Sequence, residues 1–142
     1  MEPICIDHIG IAVNNLEEST GIYEALGLIL SGYETVEQQQ TRVCFFPCGD
    51  SEIELLEPIT PDEGPIGKFI ANNGGKGGLH HIAIRVPDIK AAIVEMQEKG
   101  FRMIDTEPRY GAGGASIAFT HPKATGGALI ELSERRPELR KV

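Results

Sequence analysis

The sequence predicts an α+β fold in which two βαβββ modules in tandem build a curved, mostly antiparallel eight-stranded sheet around a cleft. Three observations predict it. The segment Asp7-His8-Ile9-Gly10-Ile11-Ala12-Val13 is echoed 73 residues later by His80-His81-Ile82-Ala83-Ile84-Arg85-Val86, and the echo persists to Gly27 against Gly100. A second echo, at an offset of 77, pairs Ile53-Glu54-Leu55 with Ile130-Glu131-Leu132, so the second copy carries a net insertion of four residues. Two matched echoes in the same order mark an internal duplication. Third, each copy reads as a strand, a helix and three further strands.

In the first copy, residues 4–13 alternate and are rich in β-branched side chains, which predicts a strand. Asn14 or Asn15 can cap a helix over about 16–26, and Gly27 stands just past its end. Strands are expected near 29–33, 41–46 and 52–57, punctuated by Pro47-Cys48-Gly49-Asp50. In the second copy, 79–86 is the strand and Asp88 the cap. Ile89, Ile93 and Met96 supply an apolar helical face that Gly100 terminates. Strands follow near 102–105, 116–120 and 128–133. The whole chain, 1–142, is one domain on this reading: module one at about 4–58, a connector at 59–78, module two at about 79–133 and a charged, frayed tail at 134–142. The connector is rich in proline and glycine, with 67–72 able to form a short helix.

Composition narrows the function. With 41% hydrophobic and 24% charged residues, the 142-residue chain suits a soluble domain with a packed interior. A net charge of −8 argues against nucleic acid as a partner, because nothing here neutralises a row of phosphates. No apolar run is long enough for a membrane span, and the acidic N-terminus lacks the basic start of a signal peptide. Cys5, Cys44 and Cys48 are an odd set without a paired framework, which fits reduced thiols in the cytoplasm.

The duplication places a histidine in the first strand and a glutamate in the last strand of each copy: His8 and Glu54, His81 and Glu131. Both glutamates have apolar neighbours, Ile53, Leu55 and Leu56 around one and Leu129, Ile130 and Leu132 around the other. A carboxylate buried among such side chains is costly unless a cation offsets its charge. Two imidazoles and two carboxylates brought together by pseudo-twofold packing would form a mixed nitrogen and oxygen site for one divalent cation. His80 falls in register with Asp7, on the opposite face of its strand, and is left outside that site. His121, in the turn His121-Pro122-Lys123, reads as surface or substrate rim.

At these residues the chain resembles the vicinal-oxygen-chelate (glyoxalase / bleomycin resistance / dioxygenase) superfamily and, within it, the methylmalonyl-CoA epimerases. The likeness runs from Ile4 to Ser133. It is carried by Ile6-Asp7-His8-Ile9-Gly10-Ile11-Ala12-Val13, Ile53-Glu54-Leu55-Leu56-Glu57-Pro58, Gly78-Leu79-His80-His81-Ile82-Ala83 and Glu107-Pro108-Arg109. Most specific is His121-Pro122-Lys123 leading through Gly126-Gly127 to Ile130-Glu131-Leu132. The resemblance implies metal ligands at His8, Glu54, His81 and Glu131, a cofactor of one divalent ion (Co, Mn, Zn, Ni or Mg), and a homodimer. It implies an isomerase that interconverts (2R)- and (2S)-methylmalonyl-CoA through an enolate, with Glu131 as one catalytic base. The chain departs from relatives that carry a glutamate in the strand reading Gln40-Thr41-Arg42-Val43-Cys44, where Arg42 or Val43 takes its place. Glu37 or a water would then serve as the second acid/base. Gly111, Gly113 and Gly114 form an anion nest or an ordinary hairpin turn; Arg109, Lys123 and Lys76 are candidates for the CoA phosphates. Alternatives on the same fold are a glyoxalase-type isomerase or lyase, an extradiol dioxygenase, and a non-catalytic small-molecule-binding module.

Overall fold

The structure, a computed structural model, describes residues 1–135. Eight strands, β1 (Cys5–Ala12), β2 (Gly32–Val36), β3 (Thr41–Cys48), β4 (Ser51–Pro58), β5 (Gly78–Arg85), β6 (Arg109–Tyr110), β7 (Ser116–Phe119) and β8 (Ile130–Glu134), hydrogen-bond in the order β2-β3-β4-β1-β5-β8-β7-β6. Three helices accompany them: α1 (Leu16–Ala25), α2 (Gly64–Asn72) in the connector, and α3 (Ile89–Glu98). The chain divides into two compact units that do not coincide with the two sequence copies. One comprises residues 9–80, and the other joins residues 1–8 to everything from His81 onward. The first strand is thus divided along its length, with His8 in the same unit as His81 and Glu131.

In the 9–80 unit, β2, β3 and β4 form an antiparallel meander with Cys44 opposite Leu55 and Phe45 opposite Glu54. Alternation sends Cys44, Phe46, Ile53 and Leu55 to the face covered by α1, where they pack with Val13, Leu16 and Tyr23. Glu54 therefore lies on the other face with Phe45. Helix α1 starts where Asn15 Oδ1 accepts from the Glu18 amide at 3.0 Å, and the Leu16 N–H donates to Glu57 Oε2 at 2.7 Å. The N-terminal turn leaves such amides without helical partners, and a carboxylate there also complements the helix dipole. In the connector, a Cβ on Gly77 would collide with the Ala12 carbonyl oxygen, so only glycine permits this approach to the end of β1.

The other unit repeats the scheme. Parallel pairing of β5 with β8 sets Ala83 beside Glu131, and antiparallel pairing of β7 with β8 sets Phe119 opposite Glu131. Val86, Ile89, Ala92, Ile93, Met103, Ala118 and Leu132 form the core beneath α3. Asp88 Oδ1 caps the Ala91 amide, and the Ile89 N–H donates to Glu134 Oε1 at 2.9 Å, as Leu16 does to Glu57.

Two strand expectations shift. The strand foreseen at 29–33 begins later, as β2, and the one foreseen at 102–105 is reduced to a single bridge between Met103 and Thr120. There the Ile104 and Asp105 amides both turn to the Phe119 carbonyl, while Asp105 Oδ2 accepts from the Phe119 N–H. A side chain that takes a strand's own amide ends the ladder at that point. The expected helix at 67–72 is α2, longer by three residues. Within the tail foreseen as frayed, Glu134 ends β8 and Arg135 is held in ion pairs, while 136–142 lies outside the described residues. No helix among the described residues is long and apolar enough to cross a membrane.

All three thiols are free, and they differ sharply in setting. Cys44 is fully buried, and burial pushes its thiol up from the ordinary 9.0 to about 11, whereas Cys48 is exposed. Because the folded state holds the Cys44 proton more tightly, the stability tied to that thiol should decline as pH rises from 9.0 toward 11. With iodoacetamide at pH 8, peptide mapping should find Cys48 modified quickly and Cys44 only after denaturant is added. Equal rates in the folded protein would contradict this packing.

Candidate metal centre

Three strands each deliver one polar side chain to a common point in the unit that joins residues 1–8 to the chain from His81 onward. His8 from β1, His81 from β5 and Glu131 from β8 are 4%, 6% and 3% exposed, values matching those of the core residues Leu56 and Leu132. The register explains the meeting of two of them. His81 and Ala83 project from one face of β5, and Ala83 lies beside Glu131 in the parallel pair, so His81 and Glu131 share that face. It is the face away from α3, since Leu132 and Ala118 face the helix. Phe119, across from Glu131, packs edge-on to His81 with centroids 5.5 Å apart.

The donor atoms point at one another. His8 Nε2 is 3.0 Å from His81 Nε2 and 3.1 Å from Glu131 Oε2, and His81 Nε2 is 3.7 Å from Glu131 Oε1. The imidazoles stand perpendicular. Glu131 Oε2 receives no well-aligned hydrogen bond despite the short distance to His8. Two ligand atoms at right angles around an ion with bonds of about 2.1 Å lie about 3.0 Å apart, which is the spacing found between the imidazole nitrogens. The donor set, two imidazole nitrogens and a carboxylate, suits a divalent ion of intermediate hardness. The residues present therefore fit the metal that the sequence implies.

Asp7, which sequence reasoning passed over, orients this cluster. Its Oδ1 accepts from His8 Nδ1 at 2.6 Å, so His8 directs Nε2 and its lone pair at His81 and Glu131. Burial alone would push the Asp7 carboxyl up. Hydrogen bonds from His8 and Arg135, together with the guanidinium charge, reverse this and hold it far below the usual carboxylate range. The signal was available in the adjacent Asp-His pair, but nothing in the sequence says that this aspartate is buried.

The remaining candidates are placed as follows. Glu54 is buried in the 9–80 unit, on the non-helical face opposite Phe45, the counterpart of the Glu131–Phe119 pair. His80 packs edge-on to Phe69 of α2, and burial pushes it down to about 4. Arg109 is engaged twice, through Nε to Asp105 Oδ1 at 3.1 Å and by stacking over Phe119 at 5.4 Å. Lys123 is exposed on a short turn whose start is capped by His121 Nδ1, which accepts from the Lys123 amide. Lys76 is likewise exposed. In the glycine turn, the Gly111 amide bonds to the Ala115 carbonyl and the Gly114 amide to the Gly111 carbonyl, as in an ordinary hairpin. Arg42 pairs with Glu57 and Glu17, both at 3.0 Å, and Glu37 is exposed on a single turn of 3₁₀ helix.

Comparison with known proteins gives the family. The model of the Glyoxalase/Bleomycin resistance protein/Dioxygenase superfamily matches residues 7–119, and the chain belongs to that superfamily. The Cereibacter sphaeroides ethylmalonyl-CoA/methylmalonyl-CoA epimerase is 35% identical over 131 residues, covering 91% of this chain and 96% of that protein. The uncharacterized protein YqjC of Bacillus subtilis is 41% identical over 130 residues, 91% of each chain. A solved structure of methylmalonyl-CoA epimerase in complex with methylmalonyl-CoA and NH4+ superposes with a TM-score of 0.88 at 35% identity, covering 96% of this chain and 97% of that one.

If His81 is a ligand and His80 is not, the two neighbours should behave oppositely in calorimetric titration with Mn²⁺ or Co²⁺. His81→Ala should weaken binding by more than the roughly 10–100-fold typical of an outer partner. His80→Ala should retain near-native affinity, and loss of binding in His80→Ala alone would reverse the assignment.

Proposed function

We propose that this chain is a metal-dependent epimerase that interconverts (2R)- and (2S)-methylmalonyl-CoA. The observation that carries the reading is the convergence of His8 Nε2, His81 Nε2 and the Glu131 carboxylate, 3.0–3.7 Å apart and all buried. Glu54 is the proposed fourth ligand, supported by its burial and by its place in the duplication opposite Phe45, matching Glu131 opposite Phe119. Relatives at about one-third identity that span nearly the same length carry this activity in their names, which supports the substrate class.

The reaction removes the proton between a thioester and a carboxylate, giving an enolate, and returns it on the opposite face. A divalent cation held by these residues would supply Lewis-acid stabilisation of the charge that develops on the thioester oxygen. His8 Nε2 and His81 Nε2 are the proposed nitrogen ligands, with Asp7 accepting from His8 Nδ1 and so leaving Nε2 turned to the site. Glu131 is the proposed base that takes or returns a proton at the α-carbon. Phe119 beside His81 keeps bulk water from that side, because its ring and the aliphatic side chains of its core partners Ala115 and Ile117 are buried. Gly111, Gly113 and Gly114, with Arg109 and Lys123, are the proposed contacts of the acyl-CoA. A homodimer is proposed to cover Ile4, just before β1, and Ile6 within it, which are 49% and 44% exposed. The cytoplasm suits the three free thiols.

Incubating the metal-loaded protein with (2R)-methylmalonyl-CoA in D₂O should place deuterium at the α-carbon, with removal of the metal abolishing exchange. Glu131→Gln should slow exchange by about 10²–10⁴-fold, the usual span for a general base. A variant that keeps its metal yet loses exchange assigns the base role to Glu131, and one that loses both assigns a ligand role. Substrate left without deuterium by a protein that isomerises a glutathione hemithioacetal would overturn the substrate assignment. Light scattering should give twice the 15.4 kDa chain mass.

A further inference from the structure

Asp7 is wholly buried, and its two oxygens receive four N–H donors. Oδ1 accepts from His8 Nδ1 at 2.6 Å and from Arg135 Nη2 at 2.8 Å. Oδ2 accepts from Arg85 Nε and Arg135 Nε, each at 2.8 Å. A carboxylate offers about four lone-pair positions, so this one is saturated and has nothing to donate. His8 Nδ1 must therefore be the donor in their bond, and His8 Nε2 carries the bare lone pair. The orientation of a proposed ligand thus depends on where the Asp7 carboxylate is held.

Arg135 holds it most firmly. It contributes two parallel bonds, a planar fork that sets both position and rotation, where Arg85 contributes one. Its side chain is only 7% exposed, and it stands one residue beyond β8, the strand that carries Glu131. The same guanidinium lies against the glycine turn. Gly113 has φ +76, and a Cβ built on it would lie 2.8 Å from Arg135 Nη1. A side chain at that position would press on the group that positions Asp7.

We propose that Arg135 is a positioning residue for His8, acting through Asp7, and that the close seat of Gly113 on its guanidinium couples the 111–114 turn to the metal centre. This rests on the reading of His8 as a metal ligand. It requires the fork, beyond the positive charge, and it requires the absence of a side chain at Gly113. Lysine at 135 keeps the charge and cannot span both oxygens in one plane. Alanine at 113 leaves all four hydrogen-bonding residues unchanged, and its Cβ, on a backbone strained at φ +76, would press on the guanidinium.

The test compares wild type, R135K and G113A. Mn²⁺ affinity is read by calorimetry on the metal-stripped protein, and the His8 tautomer by nitrogen-15 NMR of histidine-labelled protein without metal. Wild type should show His8 protonated at Nδ1. R135K and G113A should each bind Mn²⁺ about 10-fold or more weakly and show His8 as a mixture of tautomers, while their far-ultraviolet circular dichroism matches wild type. If R135K does not fold, G113A carries the same comparison. A wild type that binds no Mn²⁺ would remove the ligand reading itself. A wild type that binds, with both variants equal to it in affinity and tautomer, would overturn the role of Arg135 and leave the ligand reading standing.

Discussion

A carboxylate and two imidazoles packed within about 3–4 Å of one another, each at most 6% exposed, impose the condition that the rest of this structure meets. Such groups lose their hydration on folding, and removing one partner of a buried charged pair typically costs about 3–5 kcal/mol. The fold answers by surrounding them with fixed donors and by sharing the task among strands. Asp7 fixes His8, two arginines fix Asp7, and Phe119 packs against His81. A cation at the centre would complete the compensation that the protein groups begin.

Duplication makes that arrangement economical to build, because one local solution serves twice. In each copy a helix starts on a side-chain cap and on a glutamate from the last strand: Asn15 with Glu57, and Asp88 with Glu134. In each copy the buried glutamate sits across from a phenylalanine, and the residue after the glutamate, Leu55 or Leu132, packs in the core under the helix. The alternation of a strand turns a two-residue apolar bracket into a carboxylate on the opposite face. Helix-facing packing and the position of the glutamate are therefore a single decision.

The copies diverge where the two histidines need support. Position 7 is an aspartate that accepts from its neighbouring imidazole, and its counterpart, His80, packs on Phe69 with its ring kept neutral by burial. His8 is thus held by a charged network, while Phe119 packs edge-on to His81. The same asymmetry marks the strand at 41–48, where Arg42 bridges Glu57 and Glu17.

The two echoes and the apolar neighbours of Glu54 and Glu131 were enough to name the four ligand candidates, and the capping residues Asn15 and Asp88 placed both major helices. Those features are local: a period of two, a cap, a repeat offset. The sequence also assigned His80 away from the site, since neighbouring residues on a strand face opposite ways. It could not show that the first eight residues pack with the second half, nor that Asp7 lies under two guanidiniums, one of them 128 residues away. Nor could it show that the strand expected at 102–105 yields to a loop held by Asp105. Those outcomes turn on partners distant in sequence competing for the same amides and carboxylate oxygens. Only the folded chain, which brings Arg85 and Arg135 to one buried aspartate, decides which of them wins.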